Sequence, residues 1–96
     1  MEDCIFCSII KGNIPAEILY EDERVLAFKD VNAQAPEHFL VIPKEHISNA
    51  NDATDEALMG RLSITAANIA KEHKFSENGY RLVMNCNSDG GQTVSH

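Results

Sequence analysis

Residues 52–74, DATDEALMGRLSITAANIAKEHK, predict one long amphipathic helix, which is the largest element in a chain of only 96 residues. Its apolar side chains recur at helical spacing and would form one buried stripe. The stripe consists of Leu58, Leu62, Ala66, Ile69 and Ala70. Asp52 or Thr54 can cap the start of the helix, and Lys74 lies in its last turn, where the helix dipole favours a cation.

Shorter elements are predicted on both sides of this helix. Strands are expected over residues 16–21, 24–29, 38–43 and 80–85. The first two would form a hairpin through an acidic turn, and a further strand begins at residues 93–96. Residues 5–10 predict a short N-terminal helix that ends before the turn at Gly12. The pattern predicts an α+β fold with an antiparallel sheet of about five strands, one long central helix and a short N-terminal helix.

Length, charge and composition exclude several classes of protein. Ninety-six residues leave room for one core, and no apolar run approaches the ~18 residues of a membrane span. The acidic N-terminus lacks the features of a signal peptide, so a cytoplasmic protein is expected. A net charge of −7 at pH 7 argues against a nucleic-acid partner, although backbone N–H groups could still hold a small phosphorylated ligand.

We expect a single domain over residues 1–96. The last four residues alternate like a strand that has only begun, so the C-terminal strand and tail of the domain are expected to lie beyond them.

Cys4 and Cys7 form a C-x-x-C motif, which is a spacing that lets two thiolates share one zinc ion. A closed tetrahedral site needs two further ligands, and the chain offers four histidines for that role: His38, His46, His73 and His96. The motif alone leaves three readings open, namely a metal site, a redox pair and inert, half-buried thiols. An odd number of cysteines, three in all, disfavours a disulfide framework.

The glycine-rich segment SDGGQT, residues 88–93, has two readings as well. Asp89-Gly90 is a common hairpin signal, so a turn between two strands is the preferred one. The alternative is a loop whose glycines let backbone N–H groups approach a bound anion. On local grounds His38 and His46 are surface histidines near a strand, and His73 is a solvated residue at the helix end.

Several segments taken together resemble the histidine-triad (HIT) nucleotide-binding proteins, in particular their Hint branch. They are CIFCSIIKGNIPA (residues 4–16), YEDERVLAFKDVNAQAPEHFLVIPKEHI (20–47), GYRLVMN (79–85) and SDGGQTVSH (88–96). The family signature is His-x-His-x-His, of which the chain holds the first histidine, His96. The resemblance puts the second histidine, the nucleophile, two residues after His96.

The resemblance also implies a nucleotide site. Its purine pocket would be lined by Ile5, Phe6, Ile9, Phe28 and Val31. Asp30 would hold the ribose hydroxyls, for which a carboxylate is a suitable acceptor. The phosphate side would consist of Asn85, Gly91, Gln92 and Thr93. The supporting catalytic residues would be His38, through a hydrogen bond in the active site, and His96.

The function implied is that of a nucleoside phosphoramidase or nucleotide hydrolase that acts through a nucleotidyl-histidine intermediate. The ligands of a structural zinc ion would be Cys4, Cys7, His46 and His96, and the intact protein would be a homodimer. Two alternatives stay open: a non-catalytic module of the same fold that binds nucleotides or proteins, and a small zinc or thiol protein without nucleotide affinity.

Overall fold

The computed structural model describes residues 4–30, 38–74, 77–94 and 96, and these residues contain two α-helices and a three-stranded sheet. The helices are α1 (Ile5–Ile10) and α2 (Glu56–Glu72), and the strands are β1 (Ile18–Glu21), β2 (Val25–Lys29) and β3 (Phe39–Pro43). Short 3-10 turns lie at Ala50–Asp52 and Ser88–Gly90. Neither α-helix of these described ranges is long and apolar enough to cross a membrane.

The sheet is antiparallel and has the order β1-β2-β3. The central strand pairs along its whole length with β3, from Val25 opposite Pro43 to Lys29 opposite Phe39. The pairing of β1 with β2 contains one irregularity, between Ile18 and Tyr20. The α+β class, the antiparallel sheet and the long helix are confirmed.

The two helices lie against opposite faces of the sheet, because successive side chains of a strand point to opposite sides. On one face, Val25 packs with Leu58 and Leu62 of α2. On the other face, Leu26 and Phe28 pack with side chains of α1. The strand β2 is therefore covered on both sides, which explains why its apolar run is nearly continuous.

Helix α2 is shorter than the sequence predicts, because its cap is neither Asp52 nor Thr54 but Asp55. The Asp55 carboxylate accepts the N–H of Leu58 at 3.1 Å, and Asp52 belongs to the preceding 3-10 turn. The helix ends at Glu72, with His73 as its C-terminal cap. The predicted stripe is buried as expected, and Thr65 is buried beside it.

The prediction of about five strands is wrong for the described part of the chain, which has three. Residues 80–85 form no strand, and their large side chains are exposed: Tyr80, Leu82, Val83 and Met84. Residues 93, 94 and 96 form none either. Strand propensity does not make a strand by itself, since the backbone N–H and C=O groups also need a neighbouring strand to pair with.

The preferred reading of residues 88–93 as a hairpin turn is also wrong. Ser88–Gly90 form a 3-10 turn, and no paired strands flank it among the described residues. Gly91 ends the turn with φ of 76°, a left-handed conformation that glycine adopts without steric cost.

Asp22 attaches the hairpin of β1 and β2 to helix α2. Its Oδ1 accepts the backbone N–H of Arg24 at 2.8 Å and that of Val25 at 2.9 Å, which closes the turn. Its Oδ2 accepts the Tyr20 hydroxyl at 2.8 Å and the Arg61 Nε at 3.0 Å. Because Arg61 lies on α2, these contacts hold the turn and the helix in a defined relative position.

Candidate functional site

Four potential metal ligands from distant parts of the chain meet in one cluster. They are Cys4, Cys7, His46 and His96, whose ligand atoms all lie within 4.8 Å of one another. The Cys4 Sγ lies 3.3 Å from the His96 Nδ1. The Cys7 Sγ lies 3.3 Å from the His46 Nδ1 and 3.6 Å from the His96 Nδ1. We call these four residues the Cys/His cluster.

Helix α1 brings the two thiols together. Cys4 is the N-cap residue of this helix, and its Sγ accepts the backbone N–H of Cys7 at 3.3 Å. Residues three positions apart lie on the same side of a helix. The C-x-x-C spacing therefore directs both sulfur atoms to the same point.

A backbone carbonyl fixes the protonation of His96. The Nε2 of His96 lies 2.7 Å from the carbonyl oxygen of Pro43. Because a carbonyl oxygen only accepts, the proton of the neutral ring resides on Nε2, and the Nδ1 lone pair faces the thiols. The Nε2 of His46 is likewise directed away from the cluster and lies 3.4 Å from the Ser48 Oγ. Such outer contacts orient metal-ligating histidines.

The pKa values of Cys7 and His96 are both shifted in the direction that favours the uncharged side chain. Burial raises the pKa of the Cys7 thiol, and its hydrogen bond with Cys4 adds to that rise. Burial lowers the pKa of His96, although the Pro43 carbonyl acts in the opposite direction. A neutral imidazole is the ligating form, whereas Cys7 would have to release its proton to solvent when a metal ion binds.

The spacing of the donor atoms fits a tetrahedral ion. With metal–sulfur bonds of about 2.3 Å and metal–nitrogen bonds of about 2.0 Å, tetrahedral geometry separates sulfur and nitrogen ligands by about 3.5 Å. The observed sulfur–nitrogen distances in the cluster are 3.3, 3.3 and 3.6 Å. The Cys/His cluster could therefore hold such an ion without large movements.

An aromatic wall lies beside this cluster, on the α1 face of the sheet. The rings of Phe6 and Phe28 meet edge to face, with centroids 5.7 Å apart. Phe6 and Ile9 pack on the core that includes Phe28. Of the other predicted purine-pocket residues, Ile5 is exposed on α1 and Val31 lies outside the described residues.

Asp30 and His38 lie together at the end of this wall. The His38 Nε2 is 3.3 Å from an Asp30 carboxylate oxygen, and both side chains are largely buried. Asp30 directly follows the last residue of β2, two positions after Phe28, and its backbone N–H donates to the carbonyl oxygen of His38 at 3.2 Å. Asp30, which is predicted to bind the ribose, and His38, the predicted supporting histidine, are thus in contact.

The predicted phosphate-side residues lie in and around the loop of residues 87–92. Gln92 is fixed there by three hydrogen bonds. Its Oε1 accepts the backbone N–H of Asn87 at 2.7 Å, and its Nε2 donates to the carbonyl oxygens of Ser48 and Val94. Gly90 lies close to the backbone of Asn85: a Cβ added at Gly90 would lie 3.7 Å from the carbonyl carbon of Asn85, an ordinary van der Waals distance. Thr93 is exposed after Gly91.

Sequence reasoning missed three groups that position the site. They are the Pro43 carbonyl, Ser48 and Asn87, which hold His96, His46 and Gln92 respectively. Ser48 could have been suspected from its position two residues after a candidate ligand. No local signal identifies Pro43 or Asn87. The contact of Pro43 with His96 spans 53 positions and that of Asn87 with Gln92 spans 5, and both depend on the fold.

Comparison with known families and curated proteins gives one consistent result. The HIT domain matches residues 11–96 of the chain. The chain is 46% identical over 97 residues to the purine nucleoside phosphoramidase of Escherichia coli strain K12, and this match covers 99% of the chain and 82% of that protein.

Solved structures agree with the sequence matches. A HIT family hydrolase from Legionella pneumophila superposes with a TM-score of 0.94 at 48% identity, over 98% of the chain and 86% of that protein. A histidine triad protein from Clostridium difficile superposes with a TM-score of 0.95 at 46% identity, over 100% of the chain and 85% of that protein.

Proposed function

Because the chain belongs to the HIT family, we propose that it binds a purine nucleotide and serves as a nucleoside phosphoramidase or nucleotide hydrolase. The observation that carries the proposal is the position of the Asp30 carboxylate, which contacts His38 directly after the end of β2. It lies two residues after Phe28, whose ring meets that of Phe6. An aromatic wall two residues from a carboxylate suits a nucleoside, which has an apolar base and a hydroxylated sugar. The name of the Escherichia coli relative supports the same substrate class.

Each part of the nucleotide has a partner in this proposal. The base lies against the wall of Phe6, Ile9 and Phe28. The two ribose hydroxyls donate to Asp30, whose carboxylate has acceptor capacity for both. The phosphate lies by the loop of residues 87–92, which explains how a chain with a net charge of −7 can bind an anion without a basic patch.

The proposed reaction is nucleophilic substitution at phosphorus. A neutral imidazole attacks the α-phosphorus, the bond to the leaving amine breaks, and the amine takes up a proton. Water then cleaves the nucleotidyl-histidine and releases the nucleoside monophosphate. The resemblance assigns the attacking imidazole to a histidine two residues after His96, with His38 in a supporting hydrogen bond. The alternative is a nucleotide-binding module of the same fold without turnover.

The Cys/His cluster is proposed to hold one structural zinc ion. Its two sulfur and two nitrogen donors are the ligand types that zinc prefers, at spacings that fit tetrahedral coordination. The ion would tie together α1, the segment after β3 and the segment around residue 96. The redox reading of the C-x-x-C motif is thereby the less favoured one.

A homodimer is proposed as the assembly, with the exposed residues 80–85 at the interface. Tyr80, Leu82, Val83 and Met84 are between 45% and 66% exposed, an apolar row that a second copy could cover. The free thiols of Cys4, Cys7 and Cys86 suit a reducing compartment, so a cytoplasmic location is proposed as well.

Titration of the chain with AMP in a calorimeter tests the proposed function. We expect saturable binding to the wild type and a loss of at least about tenfold in affinity for Asp30→Asn, which keeps the shape of the side chain but weakens its acceptors. Glu23→Asn, at an exposed acid in the turn between β1 and β2, is the matched control and should bind like the wild type. Equal affinity of Asp30→Asn and wild type would reject the ribose assignment, and absence of AMP binding would reject the proposed function.

A further inference from the structure

The aromatic wall and the Cys/His cluster share a side chain. Phe6 lies between Cys4 and Cys7 in α1, so the helix that carries both thiols also carries the ring proposed to contact the base. The ring of Phe6 meets that of Phe28 edge to face at 5.7 Å and that of His96 edge to face at 5.8 Å. Phe6 is therefore held by a wall residue on one side and by a cluster residue on the other.

A second connection runs from the cluster to the loop of residues 87–92. The Oγ of Ser48 lies 3.4 Å from the Nε2 of His46, and the carbonyl oxygen of the same serine accepts the Nε2 of Gln92. Gln92 in turn accepts the backbone N–H of Asn87 at 2.7 Å. The position of His46 in the cluster and the position of the loop are thus linked by a continuous series of contacts.

We propose that metal occupancy of the Cys/His cluster and nucleotide binding are coupled, with Phe6 and Ser48 as the positioning residues that connect the two sites. The proposal rests on the proposed function. Without an ion, α1 and the segment around His46 lose their shared anchor, so Phe6 and Gln92 sample more orientations and the nucleotide must order them on binding. With an ion in place, that ordering has already occurred. Thermodynamic linkage requires the effect to be reciprocal, so nucleotide must also tighten metal binding by the same factor.

The test compares AMP binding to the chain loaded with one equivalent of Zn²⁺ and to the chain stripped with a chelator under reducing conditions. We expect AMP to bind about tenfold more weakly to the stripped chain, within the usual range for coupled sites. Chelator competition, with and without saturating AMP, measures the reciprocal effect, and zinc affinity should rise by the same factor. Equal AMP affinity in both metal states overturns the coupling and leaves the proposed function standing. No AMP binding in either state rejects the proposed function, and the coupling with it.

Variants separate the coupling from general loss of structure, since stripped protein could be partly unfolded. Phe6→Leu keeps all four ligands and an apolar side chain but removes the aromatic contact with His96, so the ratio of AMP affinities between the two metal states should fall toward one. Ile9→Val is the matched control, because Ile9 packs on the same core but has no aromatic ring that could contact His96. Its effect on AMP affinity should be equal in both metal states. A full ratio in Phe6→Leu would overturn the assignment of Phe6.

Ser48→Ala tests the second connection in the folded, loaded chain. It removes the hydroxyl beside His46 and retains the carbonyl that accepts Gln92. Loss of such an outer contact lowers metal affinity by about tenfold or more. Ser63→Ala, at an exposed position of α2, is the control and should leave zinc affinity unchanged. Unchanged zinc affinity in Ser48→Ala contradicts the role of the serine.

Discussion

The carboxylate of Asp22 and the guanidinium of Arg61 pair across the gap between the β1–β2 turn and helix α2, 39 positions apart in the chain. The same carboxylate also closes the turn through the backbone N–H groups of Arg24 and Val25. One side chain thus fixes both the local conformation of the turn and its position against the helix. The contact lies on the face of the sheet opposite Phe6 and Phe28. Its loss should therefore lower the free energy of unfolding more than it changes the proposed binding of a nucleotide.

This pairing predicts the acid sensitivity of the fold. The hydrogen bonds from Arg61, followed by those from the backbone of Arg24 and Val25, hold the pKa of Asp22 below its usual range. A carboxyl whose pKa is lowered by folding stabilises the folded state at pH values above its pKa in the unfolded chain, which is about 3.9. That stabilisation is lost as the pH falls further. Thermal melts from about pH 7 to pH 2 should show that the Tm of the wild type declines below about pH 4. The Tm of Asp22→Asn should be lower at neutral pH and should decline less steeply as the pH falls. Glu23→Gln, in the same turn, should follow the wild type, and parallel curves for Asp22→Asn and wild type would contradict the prediction.

The cap of α2 gives a second prediction. Asp55 accepts the N–H of Leu58 and pairs with Arg24 at 2.7 Å, so Asp55→Ala removes a cap and an ion pair together. Thr54→Ala changes the neighbouring residue, which could cap the helix by sequence but does not. Loss of a helix cap should lower Tm by about 5 °C in Asp55→Ala, with little change in Thr54→Ala. Equal Tm values for the two variants would show that the cap contributes no measurable stability.

Zinc content is the third prediction. Elemental analysis should find about one zinc ion per chain, as expected for a closed four-ligand site. Cys7→Ser should lose it, because a serine hydroxyl does not replace a thiolate ligand at neutral pH. Cys86→Ser, at a cysteine outside the Cys/His cluster, should retain the full amount. Metal-free wild-type protein, prepared without chelators and in the presence of zinc, would refute the site.

The fourth prediction concerns the core that α2 forms with the sheet. Leu58 is 1% exposed and packs on Val25, whereas Ile64 on the same helix is 62% exposed. Leu58→Ala should lower the free energy of unfolding by about 3 kcal/mol, since it removes buried methyl groups and leaves a cavity. Ile64→Ala should change the free energy of unfolding little, and urea denaturation distinguishes the two. A comparable loss in both variants would mean that Ile64 is covered in solution, for example by a second copy of the chain.

Turnover is the fifth prediction. The resemblance makes His96 the first histidine of the triad and assigns the nucleophile to the second. These residues alone should therefore hydrolyse an adenosine phosphoramidate at no more than a trace rate, because loss of a covalent nucleophile lowers kcat by several orders of magnitude. A chain extended through His-x-His-x-His should be active, and its middle-histidine-to-Ala variant should not. Robust turnover by the 96 residues, free of contaminating enzyme, would contradict the nucleophile assignment.

Local pattern was sufficient for the elements whose burial repeats along the chain. The helical period of Leu58, Leu62, Ala66 and Ile69 predicts the buried face of α2, because a helix brings every third or fourth residue to the same side. Residues 5–10 predict α1 with the bounds that the structure has. The Cys/His cluster came from resemblance, since the C-x-x-C motif alone left its partners open.

The tertiary structure decided what depends on neighbours distant in sequence. Residues 80–85 have the composition of a strand, but a strand exists only where another backbone pairs with it. The sequence predicts Asp52 or Thr54 as the cap of α2, whereas the folded chain uses Asp55, whose carboxylate also pairs with Arg24 of the hairpin. The Nδ1 of His96 faces the thiols because the carbonyl of Pro43, 53 positions earlier, holds the other ring nitrogen. Periodicity along a chain carries information about burial, whereas the orientation of a ligand is set by contacts that only the complete fold brings together.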